Sequence, residues 1–489
     1  MSAEQPHLAV IGAGPAGLAA ALAAAGRGVH VTLVDSADAV GGQFYRQPTA
    51  ALRARRPKAL HHQWRTWRRI GEALDRHLAA GHITHLPEHH AWCVEKHPDR
   101  RRDQRPDRQP NPQPPRRFTV HALLGPEQET PVAVPADAVL LATGGYENVL
   151  PFPGWTLPGV VTAGGAQAML KGALVVPGRA AVVAGTGPLL LPVATGLAAA
   201  GVSVAALVES ADPKAFVRRA GRLARRPDKL VEGAGFAAEL LRRRVRTLVR
   251  HTVVEAHGVD RLEAVTVAAI DAQGRVRPGT ERRIPCDTLA VGHGMLPHTD
   301  LAESLGCRID GVHVYVDDEQ RTDVPGVWAA GETTGIGGAA LSLAEGHIAG
   351  RSATARLRGR EPDSHAWAAA AKSRGALREF FAALSAVYAP PAHWAERVTD
   401  DTVVCRCEEV TAGSVREAVG ELGAGDLRTV KLLTRAGMGW CQGRMCGAAV
   451  AGITGCREGA ARRLLARPVP LGVLARAGDA EDPEDTPAG

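Results

Sequence analysis

Val10-Ile11-Gly12-Ala13-Gly14-Pro15-Ala16-Gly17 is the stretch on which the fold of this chain turns. Leu8 to Ile11 is apolar, the run from Ala16 to Ala25 is built of strong helix formers, and Val29 to Val34 is β-rich. Strand, glycine turn, helix and strand in that order make one βαβ unit. Gly12, Gly14 and Gly17 keep G-x-G-x-x-G spacing in the context that gives it meaning, between a strand and a helix. Gly12 permits the tight turn, Gly14 leaves room for a diphosphate against the backbone, and Gly17 lets helix and strand touch. Pro15 and Ala16 open the helix, whose unpaired N–H groups and dipole favour an anion. Asp35 closes the second strand, placed to accept hydrogen bonds from a ribose.

A comparable unit starts at Ala180: a strand over Ala181 to Ala184, Gly185-Thr186-Gly187-Pro188, an Ala/Leu helix to Ala200 and a strand from Val202 to Val208. Position 190, where a third glycine belongs, is Leu190, which predicts that helix and strand part or that the helix shifts. Glu209 ends the following strand as Asp35 does in the first unit, and an acid there suits a free ribose hydroxyl better than a 2′-phosphate. NAD, another adenine nucleotide held structurally, and no ligand all stay open at Gly185, Gly187, Pro188 and Glu209.

The 489 residues suffice for two or three domains, and 45% apolar with 22% charged residues describes a globular chain. A formal charge of +7 carries no nucleic-acid footprint, because the arginines are scattered among carboxylates without an aromatic reading surface. The apolar run Leu8 to Ala25 lacks a basic flank and is broken by glycines and a proline, so it reads neither as a leader nor as a membrane anchor, and the cytoplasm is expected. Residues 97–117, rich in Pro, Arg and Asp, are expected to form a disordered loop between two strands. His61 with His62 and His89 with His90 are expected at polar, exposed positions.

Eight cysteines are too few for a disulfide scaffold, and Cys405, Cys407, Cys441 and Cys446 crowd near the C-terminus as C-x-C and C-x-x-x-x-C. Four thiolates suit tetrahedral zinc or a 2Fe-2S cluster; structural zinc favours pairs two to four residues apart, so the C-x-C pair points to the cluster. Cys93, Cys286 and Cys307 are far apart in sequence and are expected to be small buried hydrophobes, and Cys456 is expected to be structural.

Three further segments carry a resemblance. Gly41-Gly42-Gln43, the run Val139 to Gly145 ending in Ala142-Thr143-Gly144-Gly145, and Val327 to Glu332 with its Gly331-Glu332 end resemble the contact motifs of the two-dinucleotide-domain flavoproteins that include thioredoxin-reductase-like enzymes. The resemblance implies FAD in the first site, with Gly42, Gln43, Thr143, Gly144, Gly331 and Glu332 completing it. Glu332 stands where that family usually has Asp, and Asp35 where it more often has Glu. The helix from Ala339 to Ala349 would point its positive end at the flavin ring. His293 sits in a segment, Leu289 to Pro297, that resembles the family's strand returning to the FAD domain. A thioredoxin-reductase-like enzyme needs a close cysteine pair beside its flavin, and the sequence offers none there.

The cysteine segment resembles the bacterioferritin-associated-ferredoxin (BFD) type of 2Fe-2S domain. Taken together, the chain resembles the α subunits of heteromeric amino-acid and opine dehydrogenases. The fold expected is α/β: two Rossmann-like dinucleotide-binding domains in a thioredoxin-reductase-like arrangement, plus a small C-terminal helical cluster domain. The expected divisions are an FAD domain over 1–158 and 287–360, a second nucleotide domain over 159–286, a helical connector over 361–398, the cluster domain over 399–465 and a tail over 466–489. The resemblance implies an electron-transfer subunit relaying between FAD and the cluster. Its expected partner is a flavoprotein β subunit that carries the amine-oxidising site, with room for a small ferredoxin-like γ subunit and a peripheral contact with a membrane electron acceptor. A self-sufficient NADH-dependent reductase and a nucleotide-binding assembly subunit with a zinc module are the alternatives.

Overall fold

The computed structural model describes residues 5–61, 63–98, 116–212, 214–456 and 465–479. His62, residues 99–115 of the expected loop and the acidic end from 480 lie outside the described residues. Two five-stranded sheets organise the chain. In the first, the order is Val327–Ala329, Ala138–Leu141, His7–Ile11, His30–Val34, Ile83–Leu86, every neighbour parallel. The central strands are short, mostly apolar runs buried on both faces, as an all-parallel sheet requires, while the edge strand Ile83–Leu86 is only partly buried. An antiparallel sheet of His89–Lys96, Phe118–Leu124 and Thr130–Ala136 lies beside it, and the expected loop does join its first two strands.

The first glycine helix, Pro15–Ala24, packs on the long helix Gly338–Leu357 through glycine contacts. A Cβ at Gly346 would lie 2.0 Å from the Ala16 carbonyl oxygen, and one at Gly350 would lie 2.3 Å from that of Ala20. Glycines one turn apart therefore let the two backbones meet, and the long helix is buried along most of its length.

The second sheet runs Thr247–Val249, Ser203–Glu209, Ala180–Thr186, Thr288–His293, Val160–Thr162, again all parallel. This corrects the expectation for residues 287–293. The strand Thr288–His293 pairs with both Ala180–Thr186 and Val160–Thr162, so the chain returns toward the first domain only afterwards, through Met295–Pro297 paired with Gly145–Glu147.

The helix Ala368–Val387 and a short turn at Trp394–Arg397 lead into a module with a small hairpin, Val403–Cys405 with Val410–Thr411, and the helices Ala412–Gly420, Leu427–Thr434 and Gly447–Thr454. Thr411 and Asp426 cap the first two of these helices by accepting from Ser414 N and Thr429 N. Residues 465–479 are not a free tail. Ala466 is buried in the core of the first domain and its N–H donates to Trp92 O, Arg467 meets His90 Nδ1 at 2.7 Å, and Arg476 donates to Glu129 O. Among the described residues no helix is long and apolar enough to cross a membrane.

The glycine contact between the two helices makes a direct prediction. Gly346→Val forces a side chain into the Ala16 backbone and is expected to cost about 1–3 kcal/mol or more. Gly71→Ala, on the helix Trp64–Ala79 where a Cβ meets nothing within 4 Å, is expected to gain up to ~1 kcal/mol. Thermal melts of the two variants check both signs.

Candidate functional site

The first glycine loop is built by exclusion of side chains. Gly12 has φ +104°, and a Cβ on it would fall 2.3 Å from Ala142 O; a Cβ on Gly17 would fall 1.8 Å from Gly12 O. Gly42 closes over the turn, its own Cβ position only 2.7 Å from Gly14 Cα, and Gly41 N donates to Ala13 O. Gly14 caps the helix with no side-chain hydrogen bond, Pro15 stands in the first turn, and no acid neutralises that turn. The positive helix end is thus left for a ligand. Asp35 accepts from Ala37 N at 2.7 Å and from Ala13 N, and burial raises its carboxyl above the ordinary range. Bare glycine backbone, an open helix end and a buried acid at the strand end fit the diphosphate and ribose of a dinucleotide.

The motif segments expected beside this loop gather around one backbone. Thr143 Oγ1 and Thr333 Oγ1 both donate to His298 O, at 2.7 and 2.9 Å, while His298 N donates to Gly144 O at 2.9 Å. Gly331 has φ +82°, and a Cβ there would meet the Ala16 side chain at 2.7 Å. Burial pushes the Glu332 carboxyl up. Gln43 stands apart: it is exposed and its amide oxygen accepts from Arg46.

Sequence reasoning missed Glu345 and Arg378. Glu345 is fully buried in the long helix, accepts from Gly331 N at 3.0 Å and from Thr334 Oγ1 at 3.1 Å, and pairs with Arg378 of the connector helix at 2.5 Å. The available signal was a lone carboxylate on a helix whose first half, Gly338 to Gly346, is otherwise small and apolar.

The second loop resembles the first with one displacement. Gly185 has φ +134° and Gly187 has φ +121°; a Cβ on Gly185 would lie 1.7 Å from Gly292 O. The helix begins at Leu190 rather than at Pro188, so the shifted helix is what Leu190 produces. Leu190, 1% exposed, is a core residue packed with Val193 and Leu197. Glu209, one methylene longer than Asp35, accepts from Gly187 N at 3.2 Å, one residue further round the loop, and from Ala211 N at 2.9 Å. Desolvation pushes it up to about 7.

His293 belongs to this second site and not to the flavin side: its Nδ1 lies 3.1 Å from Thr186 Oγ1, and burial pushes it down to about 3. His61 and His89 are buried rather than exposed, His61 meeting Gln47 and His89 its neighbour Pro87 O.

The four C-terminal cysteines converge. Cys405, Cys407, Cys441 and Cys446, with Trp155, Arg406 and Met445, line a cavity of about 120 Å³. Cys407 Sγ and Cys441 Sγ stand 3.8 Å apart on the outer side, whereas Cys405 and Cys446 are buried at 1% and 2% exposure. Burial and then the thiols of Cys405, Cys441 and Cys407 raise Cys446. Among the described residues no three His, Cys, Asp or Glu groups close around a single ion position. Thiols collected in an outer and an inner pair around a small cavity fit a cluster of two irons, each taking two sulfurs. Gly437 N points at Cys405 Sγ at 3.5 Å, the kind of N–H contact that tunes a cluster's potential. Trp155, from beyond the cysteine module, donates its indole N–H to Val403 O at 2.6 Å and so fixes the module to the nucleotide-binding body.

Comparison with known proteins agrees with both halves of the site. Residues 6–353 match the model of the pyridine nucleotide-disulphide oxidoreductases, and residues 403–454 match the BFD-like 2Fe-2S binding domain. The chain belongs to the pyridine nucleotide-disulphide oxidoreductase family. Hydrogen cyanide synthase subunit HcnB of Pseudomonas aeruginosa is 34% identical over 89% of this chain and 90% of its own length. One subunit of the opine oxidase of Agrobacterium tumefaciens is 32% identical over 92% of this chain and 86% of its own. The crystal structure of L-proline dehydrogenase from P. horikoshii shares the fold at a TM-score of 0.62, with 19% identity over 97% of this chain and 81% of that one.

Family membership makes this an oxidoreductase with FAD and a 2Fe-2S cluster as its cofactors. It departs from the family name in one respect. Cys286 and Cys307 are buried thiols pushed up to about 11 by desolvation, unlike the low-pKa cysteines of disulfide exchange.

Glu209 sets a pH test. Its folded-state pKa is raised, so between pH ~4.5 and ~7 the folded chain binds more protons than the unfolded one, and stability falls as pH rises through that window. Glu209→Gln is expected to flatten that fall; melting temperatures read at pH 4.5, 6 and 7.5 check it. For the cysteines, Cys446→Ser is expected to abolish the cluster's visible absorption, measured with iron and sulfide content.

Proposed function

We propose that the chain is the electron-transfer α subunit of a heteromeric dehydrogenase for amino acids or opine-type secondary amines. The observation that carries this reading is the cavity of four thiols walled by Trp155, which makes the cysteine module and the nucleotide-binding body one unit. Bound in their sites, the flavin supplies one- and two-electron chemistry and the cluster one-electron chemistry.

In this reading Gly12, Gly14, Pro15, Ala16 and Gly17 carry the FAD diphosphate and Asp35 holds its ribose. Gly42 closes the site from one side, with the exposed Gln43 at its edge held by Arg46, and Thr143, Gly144, Gly331 and Glu332 close it from the other. Cys405, Cys407, Cys441 and Cys446 hold the irons, with the exposed Cys407 side turned toward an electron partner. Gly185, Gly187, Pro188 and Glu209 take an adenine nucleotide with free ribose hydroxyls.

The partner is a β subunit carrying the amine-oxidising site; that both relatives are themselves single subunits of larger enzymes supports this. A small ferredoxin-like γ subunit and a peripheral membrane acceptor are compatible with it. Four cluster cysteines and four others, with no disulfide among them, suit the reducing cytoplasm.

Anaerobic affinity purification tests this. The expected result is a co-purifying flavoprotein, amine-dependent dye reduction only when it is present, and flavin plus cluster absorption from this chain alone. Amine oxidation by the isolated chain would sink the proposal.

A second reading rests on the intact turn of the second glycine loop and its buried Glu209: hydride from NADH enters there. Rapid anaerobic bleaching of the flavin by NADH is its required outcome, and an unchanged flavin spectrum removes it.

A further inference from the structure

Arg444 stands between Cys441 and Cys446 in the sequence, yet its side chain leaves the cysteine module. Its Nε and one terminal nitrogen reach Asp300 Oδ2 at 2.8 and 2.5 Å, with the two side chains only 17% and 9% exposed. The same terminal nitrogen donates to Ala466 O, and the other donates to Cys441 O at 3.3 Å. The guanidinium therefore holds the cysteine loop, the returning C-terminal segment and Asp300 at once.

Asp300 Oδ2 is also 3.1 Å from His298 Nε2. His298 is the residue whose backbone carbonyl accepts from Thr143 and Thr333 and whose N–H donates to Gly144 O. Its ring lies edge-on to Tyr146, the residue directly after the Val139 to Gly145 motif segment. Three residues of chain thus join the loop of the second cysteine pair to both loops expected to touch the flavin.

We propose that Asp300 is a shared anchor that sets the cluster loop against the two flavin loops, with Arg444 and His298 as positioning residues for electron transfer between the two sites. This rests on the flavin-to-cluster reading above. The chemistry favours such an anchor. One buried carboxylate that accepts charge-assisted hydrogen bonds from an arginine holds direction as well as distance. A shift on either side is then passed through the three hydrogen-bonded residues His298 to Asp300 rather than absorbed by a long loop.

The test uses the full chain with its cofactors bound, as wild type, Arg444→Gln, Arg444→Lys and Asp300→Asn. After photoreduction of the flavin, the rate at which the cluster's reduced signal appears is followed, together with the flavin's visible spectrum and midpoint potential. Arg444→Gln is expected to keep flavin and iron but to slow the transfer by up to about a hundredfold, the scale of a misplacement of about 1 Å, and to shift the flavin spectrum. Arg444→Lys, which restores one charged bond to Asp300, is expected to recover most of the rate.

Wild-type rate and flavin spectrum in Arg444→Gln would overturn the proposal. If that variant does not fold, the near-isosteric Asp300→Asn carries the same expectations. A wild-type chain purified without flavin or iron defeats the functional reading instead. The anchor is then read by amide exchange over residues 142–145 and 331–334, faster in Arg444→Gln if the linkage exists and unchanged if it does not.

Discussion

The helix Pro15–Ala24 lies between its own glycine turn and the helix Gly338–Leu357 at a separation that only bare backbone permits. Gly17 meets Gly12 on one side, and Gly346 and Gly350 meet Ala16 and Ala20 on the other. Gly331, at the entry to the long helix, meets the Ala16 side chain. The position of the first helix therefore fixes two things together: the open N–H groups of its first turn, and the loop that carries Glu332. Glu345 and Arg378 then hold that loop from behind, the carboxylate accepting from Gly331 N and Thr334 while the connector helix supplies the counter-charge. A buried glutamate is costly unless it is paired and hydrogen-bonded, and this one is both.

The two glycine loops show how little sequence change relocates a site. Leu190 replaces the glycine that would let helix and strand touch, so the helix starts two residues late and the leucine becomes core. Glu209 replaces Asp35 in role, and its extra methylene takes the carboxylate to Gly187 N rather than to the preceding amide. Both carboxylates are raised by desolvation, and both accept N–H groups of their own glycine turn.

Most of the first loop was legible because its chemistry is local: glycine spacing, flanking strand and helix, and the acid at the strand end all lie within one βαβ unit. The strand Thr288–His293 was misplaced for the opposite reason. An apolar run announces a buried strand, but membership of a sheet is a tertiary fact, and the parallel neighbours of this strand lie at Ala180–Thr186 and Val160–Thr162. His293 went with it. Residues 466–479 fall in the expected tail, yet Ala466 against Trp92 and Arg467 against His90 hold them, contacts with no sequence pattern. The cysteines lie between these cases. Their spacing grouped the four candidate ligands, while the division into an outer pair, Cys407 with Cys441, and an inner pair, Cys405 with Cys446, needed the fold of the loop.

That division has a direction. The inner cysteines face the module's own core, where Val404, Val415 and Val430 exclude water, and Trp155 walls the cavity from the nucleotide-binding body. The outer side carries exposed Cys407, and the neighbouring Trp440 and Met438 are also exposed. A cluster's potential depends on burial and on N–H contacts to its sulfurs, so the two pairs offer unlike surroundings within one site. The module is held against the nucleotide-binding body by Trp155 and, at the loop of Cys441, by Arg444, while the cluster site stays open to solvent at Cys407. A carrier that takes electrons from a fixed internal site and passes them to a second protein needs that asymmetry: rigid where the distance must not vary, and exposed where the partner must approach.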